Sequence, residues 1–479
     1  MLRRTKIVAT LGPATDDPKV LDELLAAGID VARLNFSHGT EKEHLERAET
    51  VRNRARASGR QVGVLIDLQG PKIRIERFKA GFITLAKGDD FILDTHLAKG
   101  DGDQHRVGVS YSGLADDVKR GDHLLLADGQ ISLWVNDTED GEIHCRVVVG
   151  GELRDKQGIN RQGGGLSAPA ITEKDERDIE IAAEIQADYV AVSFPRSAED
   201  IHYARQLLQK EGGKGRIVAK IERAEALDAL EAIIQASDAV MIARGNLGVE
   251  VGDAELPAIQ KKIIKMARAL NTVVITATQM MQSMVSTPIP TRAEVFDVAN
   301  AVFDGTDAVM LSEETAIGQY PIKVVAAMDR VCHEAEKQRE ARTSTHRIDT
   351  TFQSVDESIA MATMYTANHL GVKAIAALTE SGSTVQWMSR ISSGIPIYAM
   401  TCHVETRRRV TLFRGVYPVS FDVSSDDVVA ANQEVIDELL RRGAVRDGDL
   451  VILTRGDLTG VAGGTNVMKV IRVGDEVSS

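Results

Sequence analysis

The feature that most limits how this chain can fold is a short apolar run that recurs along it, each copy closing on polar or glycine residues and leading into amphipathic, helix-like sequence. Eight copies are present: KIVATLG at 6–12, DVARLNFS at 30–37, VGVLID at 62–67, YVAVSF at 189–194, RIVAKIE at 216–222, AVMIAR at 239–244, VVITAT at 273–278 and AVMLS at 308–312. Their Val, Ile and Ala content is nearly continuous rather than alternating. Strands covered by helices on both faces need that composition, so the pattern predicts a parallel sheet. Eight strand-helix units close into a (β/α)8 TIM barrel, and a doubly wound open sheet is the alternative the pattern leaves open. Barrels of this kind gather their chemistry at the C-terminal strand ends, which makes the polar residue closing each run a candidate.

One interval breaks the rhythm, because roughly a hundred residues separate the third run from the helix expected at 172–186. Segment 73–165 alternates apolar and polar residues in short stretches (FITLAKGDDFIL, HLLLADGQISLWV, GEIHCRVVVGG) with Gly-Asp turns. It reads as a small all-β domain inserted as a lid over the barrel mouth, with Gly163, Gly164 and Gly165 as a hinge or a plain flexible loop. After the eighth unit a helix over 329–342 gives way to a polar stretch at 343–351. New runs at 374–378, 396–400, 416–421, 450–453 and 467–473 predict a five-stranded α/β sheet. The expected domains are a catalytic barrel at 1–70 and 168–345, a lid at 71–167, and a C-terminal α/β regulatory domain at 346–479.

A length of 479 residues exceeds what one core supports. The net charge of −13 argues against nucleic-acid binding, so any phosphate site must be local. No apolar run reaches membrane-spanning length, and the N-terminus leads into a strand without a signal-like core, so a cytoplasmic, membrane-free protein is expected. Cys145, Cys332 and Cys402 lie far apart, which suggests buried thiols rather than disulfides or a zinc site.

Within the second run, Arg33, Asn35 and Ser37 alternate and would share one side of a strand. A guanidinium there can fork to a phosphate, and the two oxygens suit a hard cation; polar residues filling a barrel layer are the plainer reading. Asp67 closes the third run and Arg74 follows it; Lys220 and Glu222 share a face of the fifth. A lysine beside a carboxylate suits phosphoryl transfer with a divalent metal, or is simply an ion pair. Arg244, Gly245 and Asn246 follow the sixth run, where glycine lets backbone approach a ligand, and Thr278 closes the seventh with a hydroxyl for a proton relay. Neither a GxxxxGK[ST] loop nor a kinase-type glycine loop occurs, so a kinase of this sequence needs another architecture.

Taken together, TLGPAT at 10–15, ARLNFSHG at 32–39, GPKIR at 70–74, AKIER at 219–223, ARGNLGVE at 243–250, TATQMM at 276–281, PTRAEVFDVANAVFDGTDAVMLS at 290–312 and ETAIGQYP at 314–321 closely resemble the pyruvate kinases of bacteria. The resemblance implies phosphoryl transfer from phosphoenolpyruvate to ADP, giving pyruvate and ATP in glycolysis, by a cytoplasmic homotetramer. It implies that Arg33 and Lys220 contact the transferring phosphoryl with help from Arg74. Glu222 and position 246 would hold Mg2+ (or Mn2+), and the backbone around Arg244, Gly245 and Asn246 would bind the substrate carboxylate. Thr278 would lie beside the carbon that is protonated.

Two positions depart from the common family pattern. The potassium site of many members uses residues matching Asn35, Ser37, Asp67 and the next one, with glutamate where this chain has Lys72. Here Leu68 removes a ligand and Lys72 supplies a fixed positive charge, as in potassium-independent members, so K+ is not expected to be required. The family has aspartate where this chain has Asn246, which removes a charge from the metal site and raises the alternative of a catalytically impaired, pyruvate-kinase-like regulatory protein. A barrel lyase or aldolase using Lys220 as a Schiff base is a further alternative. In the C-terminal domain Thr379, Ser381, Gly382, Ser383 and Thr384 are similar to the family's effector loop, implying a sugar-phosphate or nucleotide activator; a helix cap is the plainer reading.

Overall fold

A computed structural model describes residues 2–338, 341, 351–425, 427–457 and 463–475. The eight runs form strands β1 (Lys6–Thr10), β2 (Val31–Asn35), β3 (Gly63–Asp67), β4 (Tyr189–Val192), β5 (Arg216–Ile221), β6 (Ala239–Ala243), β7 (Val273–Ala277) and β8 (Ala308–Leu311). Each pairs in parallel with its sequence neighbours, and β1 meets β8 at Ile7↔Val309 to close the barrel. The open-sheet alternative is thereby excluded. Successive side chains explain the composition. Ile7, Ala9, Val64 and Ile66 face outward into the helix layer, while Val8, Leu65, Val218 and Met241 fill the interior, and both sets are buried. Each fully buried Val, Leu or Ile is worth about 1.5–3 kcal/mol, so a strand buried on both faces leaves little room for polar residues except at its ends.

The chain leaves the barrel after β3 and returns at the helix Glu173–Glu184. That helix starts where it does because Thr172 and Asp175 cap it reciprocally. Asp175 also accepts the amide of Gly70 at 3.0 Å, so the two ends of the excursion are tied together. Gly70 has a positive φ of 64°, and a Cβ there would lie 2.7 Å from that of Ser193, so only glycine fits this turn. The excursion holds a six-stranded sheet, from Ile159–Arg161 at one edge to Arg106–Gly108 at the other, and an antiparallel pair of Phe82–Leu85 with Gly151–Arg154. Its core includes Phe91, Leu124, Leu133 and Val147.

Among the described residues the C-terminal sheet has five strands, β9 (Ala374–Leu378), β10 (Ile397–Thr401), β11 (Val416–Ser420), β12 (Leu450–Gly456) and β13 (Thr465–Arg472), in the order β11-β10-β9-β12-β13. Only β13 runs antiparallel. The boundary expected at 345/346 and the polar stretch from 343 to 350 lie outside the described residues, as does the end of the helix expected over 329–342; that helix is helical over Pro321–Ala335.

A buried ion pair joins this domain to the barrel floor. Arg390 donates to both carboxylate oxygens of Asp307, one at 2.8 Å, and to Thr272 O at 2.8 Å, and its side chain is wholly inaccessible. Breaking a buried pair strands the remaining charge. Arg390→Met is therefore expected to destabilise the protein by about 3–5 kcal/mol in urea titrations, and an unchanged midpoint would show that Asp307 is satisfied without it.

Candidate active site

The strand ends at the C-terminal rim of the barrel bring four charged side chains into contact. Lys220 Nζ donates to Ser193 Oγ at 2.6 Å and lies 2.9 Å from Asp67 Oδ1 and 2.7 Å from Glu222 Oε1. Arg33 donates from Nε to Asp67 Oδ2 at 2.8 Å and from Nη1 to Thr10 Oγ1 at 2.8 Å, with Nη2 2.6 Å from the same carboxylate. Asp67 and Glu222 are almost entirely buried, at 0% and 1% exposure. Two cations against two carboxylates keep this polar cluster affordable inside a barrel.

The same proximity settles the charge states. Burial disfavours the Lys220 ammonium, but Asp67 and Glu222 outweigh it and hold its pKa above the ordinary lysine value. Burial likewise raises the Asp67 carboxyl, and Lys220 and Arg33 more than reverse it, leaving that pKa below the ordinary value. A fixed ammonium in a dry pocket can stabilise negative charge developing on a phosphoryl group.

Asn246 lies in the first turn of the helix Arg244–Val251 and its Nδ2 donates to Glu222 Oε2 at 2.8 Å. The family-implied divalent metal finds a matching donor set here. Glu222 Oε1 is buried with the Lys220 ammonium, 2.7 Å away, as its one close polar neighbour among the described residues, and the Asn246 carboxamide carries a second oxygen donor. Among the described residues no group of three or more His, Cys, Asp or Glu side chains is arranged to hold a metal. A magnesium-like ion bound here would complete its shell with water and substrate oxygens. Holding it requires the Asn246 amide to turn, because its NH2 group is the part that meets Glu222.

Thr278, just past β7, lies near Gly245, whose amide donates to Thr278 Oγ1 at 2.9 Å. Its φ of 67° is unusual for a β-branched residue and marks local strain at the rim. Arg244 supports that conformation, donating to Thr278 O at 2.8 Å, to Ala277 O at 3.2 Å and to both carboxylate oxygens of Asp297 at 2.7 and 2.8 Å. Its guanidinium is committed to this brace, and the helix amides that follow it remain the groups suited to a carboxylate.

Other expected residues are placed differently. Strand β2 ends at Asn35, whose Oδ1 accepts the Ser37 amide at 3.2 Å, so Ser37 lies in a turn rather than continuing the alternation with Arg33. Arg74 is not in the Lys220 cluster; its Nη1 donates to Lys156 O at 2.8 Å in the inserted segment. Lys72 is partly buried, and burial together with Arg74 lowers its pKa, while Asp128 and Glu222 act in the opposite direction. Leu68 is buried and offers no oxygen side chain as a ligand.

In the C-terminal domain Thr379 Oγ1 accepts the Gly382 amide at 3.0 Å, and Ser381 Oγ donates to Ser383 Oγ at 3.2 Å. Gly382 adopts a φ of 85°. Thr379, Ser381 and Ser383 line a cavity of about 330 Å³ with Thr384, Arg455 and Thr465.

Sequence reasoning missed three contributors. Thr10 ends β1 and Ser193 directly follows β4, so the strand-end rule that selected Lys220 could have found both. Glu250 lay inside a quoted motif with no role assigned. It is 5% exposed, its Oε2 accepts the Ala224 amide at 2.9 Å, and its Oε1 accepts from Asn160 Nδ2 at 3.3 Å. Burial pushes its pKa up to about 7.

Comparison with known proteins agrees with this geometry. Residues 2–325 match the family described as pyruvate kinase, barrel domain, and residues 357–471 match pyruvate kinase, alpha/beta domain. The chain is 55% identical over 477 residues to pyruvate kinase II of Salmonella typhimurium, covering 98% of this chain and 99% of that protein. It is 53% identical to a pyruvate kinase of Haemophilus influenzae, covering 95% and 96% of the two chains. To a pyruvate kinase of Sporosarcina psychrophila it is 42% identical, covering 99% of this chain and 81% of that one.

Proposed function

The chain belongs to the pyruvate kinase family, and on that premise we propose that it moves the phosphoryl group of phosphoenolpyruvate to ADP and protonates the resulting enolate. The observation that carries the proposal is the Lys220 ammonium held between Asp67 and Glu222 at the barrel rim. Phosphoryl transfer needs positioning and charge stabilisation more than covalent chemistry. Lys220 and Arg33 orient the phosphoryl group and neutralise charge that builds on its oxygens. Amides in the first turn of the helix Arg244–Val251, after that of Gly245, which is held by Thr278 Oγ1, receive the carboxylate, and the Thr278 hydroxyl stands where the enolate carbon takes its proton. Arg74 acts from the lid side once substrate is bound. A divalent ion, Mg2+ or Mn2+, would be held by Glu222 and Asn246 and would supply Lewis-acid stabilisation of the same charge.

The test is pyruvate formation from phosphoenolpyruvate and ADP, coupled to lactate dehydrogenase, with borohydride trapping of pyruvate run alongside. ADP-dependent turnover without a trapped adduct supports the kinase. A covalent Lys220 adduct without ADP-dependent turnover would identify a Schiff-base enzyme instead.

Lys72 and Leu68 support turnover without potassium. Rates in sodium or tetramethylammonium buffers should match those with K+, and Lys72→Glu should make the rate respond to K+ by about tenfold. Strict potassium dependence of the unmodified protein would overturn this. The C-terminal cavity, with Arg455 beside several hydroxyls, supports activation by a sugar phosphate or nucleotide. In this reading 1–70 and 168–345 form the catalytic barrel, 71–167 the lid and 346–479 the regulatory domain. Assembly as a homotetramer is supported by exposed apolar side chains on the barrel, Ile289 at 72% and Phe296 at 70%. Among the described residues no helix is long and apolar enough to cross a membrane; a cytoplasmic location is proposed with the glycolytic role.

A further inference from the structure

Glu250 joins three segments that are far apart in sequence. It sits one helical turn after Asn246, on the same face of the helix Arg244–Val251. Its Oε2 accepts the amide of Ala224, two residues beyond Glu222, at 2.9 Å. Its Oε1 accepts from Asn160 Nδ2 at 3.3 Å on the lid strand Ile159–Arg161, and its main-chain oxygen accepts the Gly163 amide at 3.1 Å. A buried carboxylate is costly to place in a core unless its oxygens are used, and both are.

The glycine segment at the lid exit is built around the same contact. Gly164 has a φ of 77°, and a Cβ there would lie 1.9 Å from Glu225 Oε2. Arg223 Nη1 donates to Leu166 O at 2.9 Å, fastening the strap a second time to the loop that follows Glu222. Gly163 and Gly164 therefore lie fastened against the barrel rim.

We propose that Glu250 is a positioning residue that sets the spacing of Glu222 and Asn246 for the divalent cation and locks the lid exit to that spacing. The proposal rests on the reading of Glu222 and Asn246 as metal ligands. One oxygen holds the Glu222 loop against the helix that carries Asn246, and the other holds the lid to both. Residues that orient metal ligands without touching the metal commonly contribute 10–100-fold in affinity.

Mn2+ binding, read from the loss of the free-ion electron paramagnetic resonance signal, tests this together with amide hydrogen exchange over 159–166. Glu250→Gln keeps the shape but not two equivalent acceptors, and Asn160→Ala cuts only the lid arm. Glu250→Gln and Glu250→Ala are expected to weaken Mn2+ binding by about tenfold or more and to speed exchange in the strap. Asn160→Ala is expected to speed exchange in the strap while leaving Mn2+ affinity near that of the unmodified protein. Unchanged Mn2+ affinity in a folded Glu250→Gln protein overturns the proposal alone. Failure of the unmodified protein to bind Mn2+ overturns the metal-site reading, and this proposal with it.

Discussion

Replacing Lys220 by Met is expected to lower kcat for pyruvate formation by about 10³-fold or more, because one preorganised cation in a dry site carries much of the stabilisation of a phosphoryl transition state. KM for ADP should change little, since the loss falls on the transition state rather than on nucleotide binding. The substitution removes the shared counterion of Asp67 and Glu222. Asp67 keeps Arg33, and Glu222 keeps the amide of Asn246. Thermal unfolding should accompany the kinetics, so that a folded but inactive protein is distinguished from an unfolded one. A folded Lys220→Met protein with near-normal turnover would remove Lys220 from the chemistry.

Asn246→Asp should have the second-largest effect, in the opposite direction. A carboxylate beside Glu222 adds a unit charge within a few ångströms of a doubly charged ion. At surface-like dielectric and about 4 Å such a pair is worth about 8 kcal/mol before desolvation, and the cost of desolvating the carboxylate cuts this to a net gain of about tenfold to a hundredfold in metal affinity. The Mg2+ concentration for half-maximal rate should fall accordingly, and the Asn246 amide would no longer donate to Glu222. If kcat rises as well, the unmodified chain is a weakened enzyme. Indistinguishable Mg2+ titrations would mean that position 246 does not ligate the ion.

Much of this was legible in the sequence for a simple physical reason. Strands buried on both faces rarely carry polar residues, so Lys220 and Asp67 stood out near the ends of apolar runs and Arg33 as a charge inside one, and the barrel brings the three together. Ser37 was misplaced because the alternation was extended past the point where the Asn35 side chain bends the chain. Arg244 was singled out with the backbone around Gly245, and the engagement of its own side chain was not foreseen. Its commitment to Asp297 depends on a residue 53 positions away, which no local pattern reveals. Glu250 was hidden for the same reason, since its partners Asn160 and Ala224 meet only when the lid docks. The strained φ of Thr278 also had no local signal, because threonine rarely adopts it.

The most direct measurement is the phosphorus NMR spectrum of the protein incubated with phosphoenolpyruvate, ADP and Mg2+. Phosphoryl transfer at this barrel rim predicts ATP growing in step with pyruvate as phosphoenolpyruvate disappears, and no comparable growth of ATP with Lys220→Met. Inorganic phosphate appearing in place of ATP, or ATP formed by Lys220→Met at the unmodified rate, would contradict it.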